Sequence, residues 1–193
     1  MSMDAFKSRV RLDLFDAKRG FSRGRSTAVF ALWYLLKCVF FLSPLPWPSE
    51  WRSILLRLFG ATIGRKVYWK PRVNVYFPWK LTVGDYSSIG EEVSLINFEP
   101  IAIGAHCVVS QRAMLCSGNH DYSRTDMAYR NAPIMLADGV WIGAQAFVAP
   151  GVTIGAEGVV TACSMVNQSL PAGMVSAGNP CVPVRPRWHE LTT

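Results

Sequence analysis

From Leu136 to Pro171 the chain divides, without insertion, into six hexads that open on Leu136, Ile142, Val148, Ile154, Val160 and Val166. A small residue usually follows the aliphatic one, as at Gly143 and Gly155, and another small or β-branched residue usually holds the fifth place. A mark on every sixth residue fits neither the 3.6-residue period of a helix nor the two-residue period of a lone strand. It is the signature of a parallel β-helix, in which each coil covers its core only by stacking on its neighbours. The first residue of each hexad then points into a shared column, where a buried aliphatic side chain contributes roughly 1.5–3 kcal/mol. The small second residue is expected to let the backbone turn the corner.

The same beat runs upstream with interruptions. Ile63-Gly64 and Trp69 share one frame, Val83-Gly84, Ile89-Gly90 and Leu95 a second, and Ile103-Gly104, Val109-Ser110 and Leu115 a third. The frame slips at about Phe77 to Lys80 and Asn97 to Pro100, where short loops are expected to bulge from a coil. The largest break runs from Gly118 to Pro133. It carries Asn119, His120, Asp121, Tyr122, Arg124, Asp126, Tyr129 and Arg130, too polar and irregular for a rung. Excursions from a rigid solenoid are where function is usually mounted.

Residues of three blocks carry a family resemblance: Gly118-Asn119-His120-Asp121-Tyr122 in the excursion; Val140-Trp141-Ile142-Gly143 with Val148-Ala149-Pro150-Gly151-Val152-Thr153-Ile154-Gly155; and Ala177-Gly178-Asn179-Pro180 near the end. In these blocks, and over about Ile63 to Arg187, the chain resembles the hexapeptide-repeat acyltransferases. It is most similar to the colanic acid biosynthesis acetyltransferases, with galactoside and maltose acetyltransferases as more distant cousins. The resemblance implies a mainly β chain: a left-handed parallel β-helix with a short N-terminal helical segment and one large loop. The expected division is residues 1–60 as a basic, apolar helical appendage, 61–171 as the β-helix with its loop at 118–133, and 172–193 as a tail.

Net charge is lopsided. Residues 1–60 hold ten Lys/Arg against four Asp/Glu, while residues 61–193 hold ten against nine. The basic segment contains the apolar run from Ala28 to Leu42, a predicted helix ended by Ser43-Pro44-Leu45-Pro46, and a second helix is predicted over about Glu50 to Phe59. Fifteen residues with Lys37 among them fall short of the roughly 20 needed to span a bilayer. Arg19, Arg23 and Arg25 imitate the start of a signal peptide, but no small-residue cleavage site follows. Three readings stand: export or a true span, a helix packed on the β-helix or on a subunit neighbour, or, with Trp33, Trp47 and Trp51, a peripheral contact with the inner membrane face through residues 19–59. The five cysteines, Cys38, Cys107, Cys116, Cys163 and Cys181, are scattered without a C-x-x-C pair and read mostly as buried thiols. A cytoplasmic location fits them.

Imidazole titrates near neutrality, so a histidine in such a loop can take the proton of a hydroxyl that attacks a thioester. By the resemblance His120 is that general base, with Asp121 beside it to orient the ring, contact a sugar hydroxyl, or only stabilise the loop as an Asx turn. Glu92, Asn97, Tyr122 and Arg124 are implied acceptor contacts, with Tyr129 a further candidate. The acyl donor would be acetyl-CoA, lying in a groove between two β-helices of a homotrimer whose active sites are shared between subunits. Trp141, Gly143, Ala144 and Ala162 match groove positions, Asn167 and Gln168 its outer end, and Arg185 with Arg187 the phosphate end. A lysine that the family pattern places near Gln168 is absent. An N–H near Gly143-Ala144 would stabilise the oxyanion. The implied reaction is O-acetylation of a sugar in an exopolysaccharide or its lipid-linked precursor.

Other readings are distinguishable. A β-helical carbonic anhydrase needs three zinc-binding histidines, and His106, His120 and His189 lack the spacing, so no metal is expected. Serine or an amino-sugar nucleotide as acceptor would leave the donor chemistry unchanged. A non-catalytic scaffold would not need the His120 loop. Nucleic acid is not expected as a partner, because the positive charge sits beside an apolar stretch and not along a spaced basic face.

Overall fold

The computed structural model describes residues 8–188, which leaves His189 outside it. Strands of two to five residues stack into three sheets. The first holds Thr62–Ile63, Leu81–Val83, Ile101–Ile103, Ile134–Leu136 and Thr153–Ile154. The second holds Tyr68–Trp69, Ser88–Ile89, Val108–Val109, Trp141–Ile142, Val159–Val160 and Met174–Ala177, with Val182–Pro186 antiparallel at its end. The third holds Asn74–Val75, Ser94–Ile96, Met114–Cys116, Phe147–Val148 and Met165–Val166. One strand from each sheet makes a coil, so the chain completes five coils and begins a sixth of a left-handed parallel β-helix.

The first-place residues form buried columns inside this prism, such as Trp69, Ile89, Val109, Ile142 and Val160 under the second sheet. Fifth-place residues, Val73, Val93, Ala113 and Ala146 among them, are buried as well and fill the corners. The second place is small for a different reason from the one expected. A Cβ on Gly143 would stand 2.5 Å from the backbone nitrogen of Ala162, so the next coil's close approach excludes a side chain. The left-handed turn comes two residues later, at Lys66, Arg72, Tyr86, Glu92, His106, Arg112, Gln145, Glu157 and Cys163, with φ between 52° and 60°. That conformation costs an L-residue about 1–2 kcal/mol. Inter-coil bonds such as Gly84 N–H to the Ile103 carbonyl, 2.8 Å, offset it.

Sheet register explains the frame slips. Thr62 pairs with Thr82 and Leu81 with Ile101, a step of 20 residues, whereas Met135 pairs with Thr153, a step of 18. The extra residues bulge at Phe77–Lys80 and near Asn97–Pro100, both on the edge where the third sheet passes to the first. The long excursion leaves from this same edge one coil later.

Two helices close the open end of the first coil. In α1, Thr27–Phe40, the N-cap Ser26 accepts from the Val29 N–H, and buried Trp33 donates its indole N–H to the Val75 carbonyl at 3.1 Å. In α2, Ser49–Leu58, buried Arg52 donates to the carbonyls of Phe40, Trp69 and Leu45 at 2.8, 2.9 and 3.1 Å. Arg52→Met would strand three carbonyls that the guanidinium satisfies and is expected to cost about 2–4 kcal/mol. Urea unfolding should show it, and an unchanged midpoint would refute the role.

Lys37, the one charged residue of the predicted apolar helix, does not interrupt the outer face of α1. It turns inward, donates to Asn74 Oδ1 at 3.0 Å and lies over the rings of Tyr34 and Tyr76, with burial lowering its pKa. The outer face is therefore apolar: Val29, Leu32, Leu35 and Val39 on α1, and Trp51, Ile54 and Leu58 on α2, are exposed. Among the described residues no helix is long and apolar enough to cross a membrane. The thiols also depart from expectation, since Cys107 and Cys181 are buried but Cys38 and Cys163 are exposed.

Candidate active site

The excursion folds as a narrow hairpin. Asp121 N–H donates to the Ala128 carbonyl and Arg130 N–H to the Asn119 carbonyl, each at 2.8 Å, and Asn119 Oδ1 accepts from the His120 N–H at 2.8 Å. The hairpin holds His120 exposed, with Nδ1 2.6 Å from the Met127 carbonyl oxygen. A carbonyl can only accept, so Nδ1 carries a hydrogen, and in the neutral ring Nε2 is the nitrogen that presents its lone pair. The ring also packs against Tyr129, at 4.9 Å between centroids, and Phe15, at 5.4 Å, which touch each other at 5.2 Å and complete a three-ring cluster.

Phe15 comes from a part of the chain that sequence reasoning assigned to an appendage. Residues 8–25 form a strap along the edge between the third and first sheets. Arg11 N–H donates to the Thr125 carbonyl at 2.8 Å, and Phe21 packs on Phe98, Tyr129 and Phe77. Trp79 donates its indole N–H to the Arg23 carbonyl, and Lys80 donates to the carbonyls of Ser22 and Phe98. No motif signals this; only the aromatics Phe15 and Phe21 in a charged stretch hint at it.

Of the other predicted loop residues, Asp121 Oδ1 accepts from the N–H and the hydroxyl of Ser123, at 3.0 and 2.5 Å, an Asx turn that lowers its pKa. The group on the imidazole Nδ1 is the Met127 carbonyl. Arg124 forks onto Asp126 with both bonds at 2.9 Å and holds that carboxyl at about 2. Tyr122 is 82% exposed at the tip. Asn97 is fully buried: its Oδ1 accepts from the Phe77 N–H and its Nδ2 donates to the Phe77 carbonyl, pinning the two bulges together. Glu92 stands at a corner between the second and third sheets, paired with Arg112 at 2.7 Å and Arg72 at 3.0 Å. The structure does not bring Asn97 or Glu92 to an open face beside His120 in this chain.

A groove of about 410 Å³ runs along the edge between the second and third sheets, lined by Ser110, Gln111, Trp141, Gly143, Ala144 and Val159 to Ala162. Trp141 points outward, as its place in the hexad requires, and donates its indole N–H to Ser110 Oγ at 2.9 Å. The Gly143 N–H is already given to the Val160 carbonyl at 2.7 Å. Among the described residues the Ala144 N–H has no acceptor, and neither have those of Gln111 and Ala162 at the equivalent place of the neighbouring coils, so the groove wall carries free donors at this corner. The small side chains leave room for an extended ligand to approach backbone. Asn167 and Gln168 follow Met165–Val166 onto the next edge, and Arg185 lies exposed at the far end of the second sheet, so these three do not line the groove. Arg187 is spent on the carbonyls of Gly139 and Glu157.

His120 and the groove lie on different edges of the prism. A chain that carries a loop histidine on one edge and a small-walled groove on another, over stacked hexads, has the layout of a hexapeptide-repeat acyltransferase. No family model matches the chain. It is 43% identical over 173 residues to the "Putative colanic acid biosynthesis acetyltransferase WcaF" of Escherichia coli strain K12, which spans 90% of this chain and 94% of that protein. The chain therefore belongs to the family of this acetyltransferase and is itself an acyltransferase. Galactoside O-acetyltransferase of the same organism is 27% identical over 143 residues, covering 72% of this chain and 70% of that one. A hexapeptide-repeat containing acetyltransferase of Vibrio cholerae superposes with a TM-score of 0.75 at 29% identity, over 84% of this chain and 92% of that one; a further structure of that protein holds acetyl-CoA.

Proposed function

We propose that the protein transfers acetyl from acetyl-CoA to a sugar hydroxyl during assembly of an exopolysaccharide of the colanic acid type, with His120 as general base. The observation that carries this is the Nδ1 contact with the Met127 carbonyl, which leaves Nε2 as an exposed base on a loop braced by Phe15 and Tyr129. Bound acetyl-CoA supplies the acyl thioester. His120 Nε2 accepts the hydroxyl proton as the sugar oxygen bonds to the acyl carbon, then returns it to the departing sulfur as the C–S bond breaks. No acyl-enzyme forms. The Ala144 N–H is the donor that stabilises negative charge on the acyl oxygen. Tyr122 and Arg124 stand on the loop to contact the acceptor.

His120 and the groove stand on different edges of one chain, which supports a homotrimer in which the base edge of one subunit meets the groove edge of the next in a shared site. The exposed apolar face of α1 and α2, beside a basic strap, supports peripheral contact with an anionic membrane. Leu35→Asp with Leu58→Asp should lower co-flotation with phosphatidylglycerol vesicles at least tenfold, and an unchanged bound fraction would remove the membrane contact. The activity itself is tested by acceptor-dependent release of coenzyme A from acetyl-CoA over a panel of soluble sugars and lipid-linked oligosaccharides. No release with any acceptor, together with no acetyl-CoA binding, would favour a scaffold.

A further inference from the structure

The hairpin that carries His120 supplies two of the groups that hold its ring, the Met127 carbonyl on Nδ1 at 2.6 Å and the Tyr129 ring at 4.9 Å. The third, Phe15, comes from the strap. On the short turn Leu12–Leu14 just before it, Leu12 is 66% and Leu14 57% exposed, whereas Phe15 is half-buried. What it turns inward to meet is His120, at 5.4 Å, and Tyr129, at 5.2 Å. With the 4.9 Å between His120 and Tyr129, the three centroids make a nearly equilateral triangle. Both aromatic rings therefore lie toward one side of the imidazole, and the other side stays open.

The strap is fixed on both sides of Phe15. Ahead of it, Arg11 N–H donates to the Thr125 carbonyl in the hairpin at 2.8 Å. Behind it, Phe21 packs on Phe98 at 4.7 Å and Lys80 donates to the Ser22 carbonyl at 2.8 Å, so the strap is anchored to the bulged coils of the solenoid. Phe15 thus ties the imidazole to the rigid prism as well as to its own loop. The tie matters because the Nδ1 bond is weak alone. Facing water, a single hydrogen bond favours the bound rotamer by a factor of roughly 2–10, and side chains at the surface otherwise change rotamer within nanoseconds. A base works only where it meets its proton, and a misplacement of about 1 Å can cost roughly 100-fold.

We propose that Phe15 is a positioning residue for the acetyl transfer: its ring holds the His120 imidazole in the rotamer that puts Nδ1 on the Met127 carbonyl and leaves Nε2 for the acceptor. The strap then serves the reaction in each subunit and is more than an appendage to the solenoid. Tilted packing, 56° between the Phe15 and His120 planes, fixes the direction of the imidazole as well as its distance. This role rests on His120 being the base and adds what keeps the base aimed.

The test has a readout apart from activity. In long-range proton–nitrogen NMR spectra of the full-length protein at alkaline pH, where imidazoles are neutral, the His120 ring should show Nδ1 protonated and Nε2 bare. The chain has three histidines, and the spectrum of His120→Gln identifies the signal. Phe15→Ala should mix the two tautomers and lower kcat about tenfold or more, with the acceptor KM and acetyl-CoA binding within about twofold of wild type. Phe15→Tyr, which keeps the ring, should retain the tautomer and most of the rate. Leu14→Ala, in the same strap but exposed, should change neither. In a His120→Ala background Phe15→Ala should cost nothing more, because it acts through the imidazole alone. A wild-type tautomer and rate in Phe15→Ala would overturn the proposal, and so would an equal loss in Leu14→Ala or a further loss in the double variant. An unchanged rate in His120→Ala would remove the base and this role with it. A full loss there, with none in Phe15→Ala, would overturn the positioning and leave the acetyl transfer standing.

Discussion

His120→Ala should lower turnover on the acceptor about 10²–10⁴-fold, the range supplied by a positioned general base, while acetyl-CoA binding stays as it is. The separation follows from geometry: the imidazole stands on the edge between the third and first sheets, and the groove on the edge between the second and third. The ring's own bonds sharpen the expectation. Nδ1 faces the Met127 carbonyl at 2.6 Å, so Nε2 is the nitrogen that must take up a proton and then give it back. His120→Gln, which fills similar space without a basic nitrogen, should be as slow as the alanine variant. Steady-state coenzyme A release and equilibrium donor binding decide it: an unchanged rate in both variants would remove the base assignment, and a loss confined to donor binding would place His120 at the groove.

The solenoid was legible because its repeat is enforced by backbone contact. Gly143 must be small where the next coil passes, and Ile142 must be aliphatic where three sheets converge, so each constraint writes itself into the hexad. The corners were not legible. Lys66, His106 and Glu157 all adopt the left-handed turn, and residue types with no shared propensity mark no position. His120 could be picked out because it sits in the excursion, yet what orients it could not, since a carbonyl such as that of Met127 has no identity in sequence. Phe15 lies 105 residues before His120 and reaches it only because the strap folds along the bulged edge. Asn97 shows the opposite failure. Its place one coil before the excursion suggested, by the family resemblance, an acceptor contact, but both ends of its amide are spent on Phe77, where two bulged coils need a polar pin.

Mixing two inactive proteins should restore activity. If the base edge of one subunit serves the groove edge of the next, His120→Ala chains keep a working groove and Ala162→Trp chains keep a working base. Ala162 is exposed on the groove wall, so an indole there fills the groove without entering the core. Each variant alone would then make trimers in which every site is broken. In randomly mixed trimers a site is intact when the base comes from an Ala162→Trp chain and the groove from a His120→Ala chain. With equal amounts that is about a quarter of sites, the product of two even chances in a closed ring of identical, heterologous contacts. Co-expression of the two chains with different tags, purification through both, and coenzyme A release against the wild-type protein would measure it. The dual-tag step removes pure trimers and raises the fraction above that value, so recovery should reach at least the quarter. Activity that stays at the level of the separate variants, in trimers shown to contain both chains, would mean that base and groove meet within one chain, and the edge-to-edge assembly would have to be abandoned.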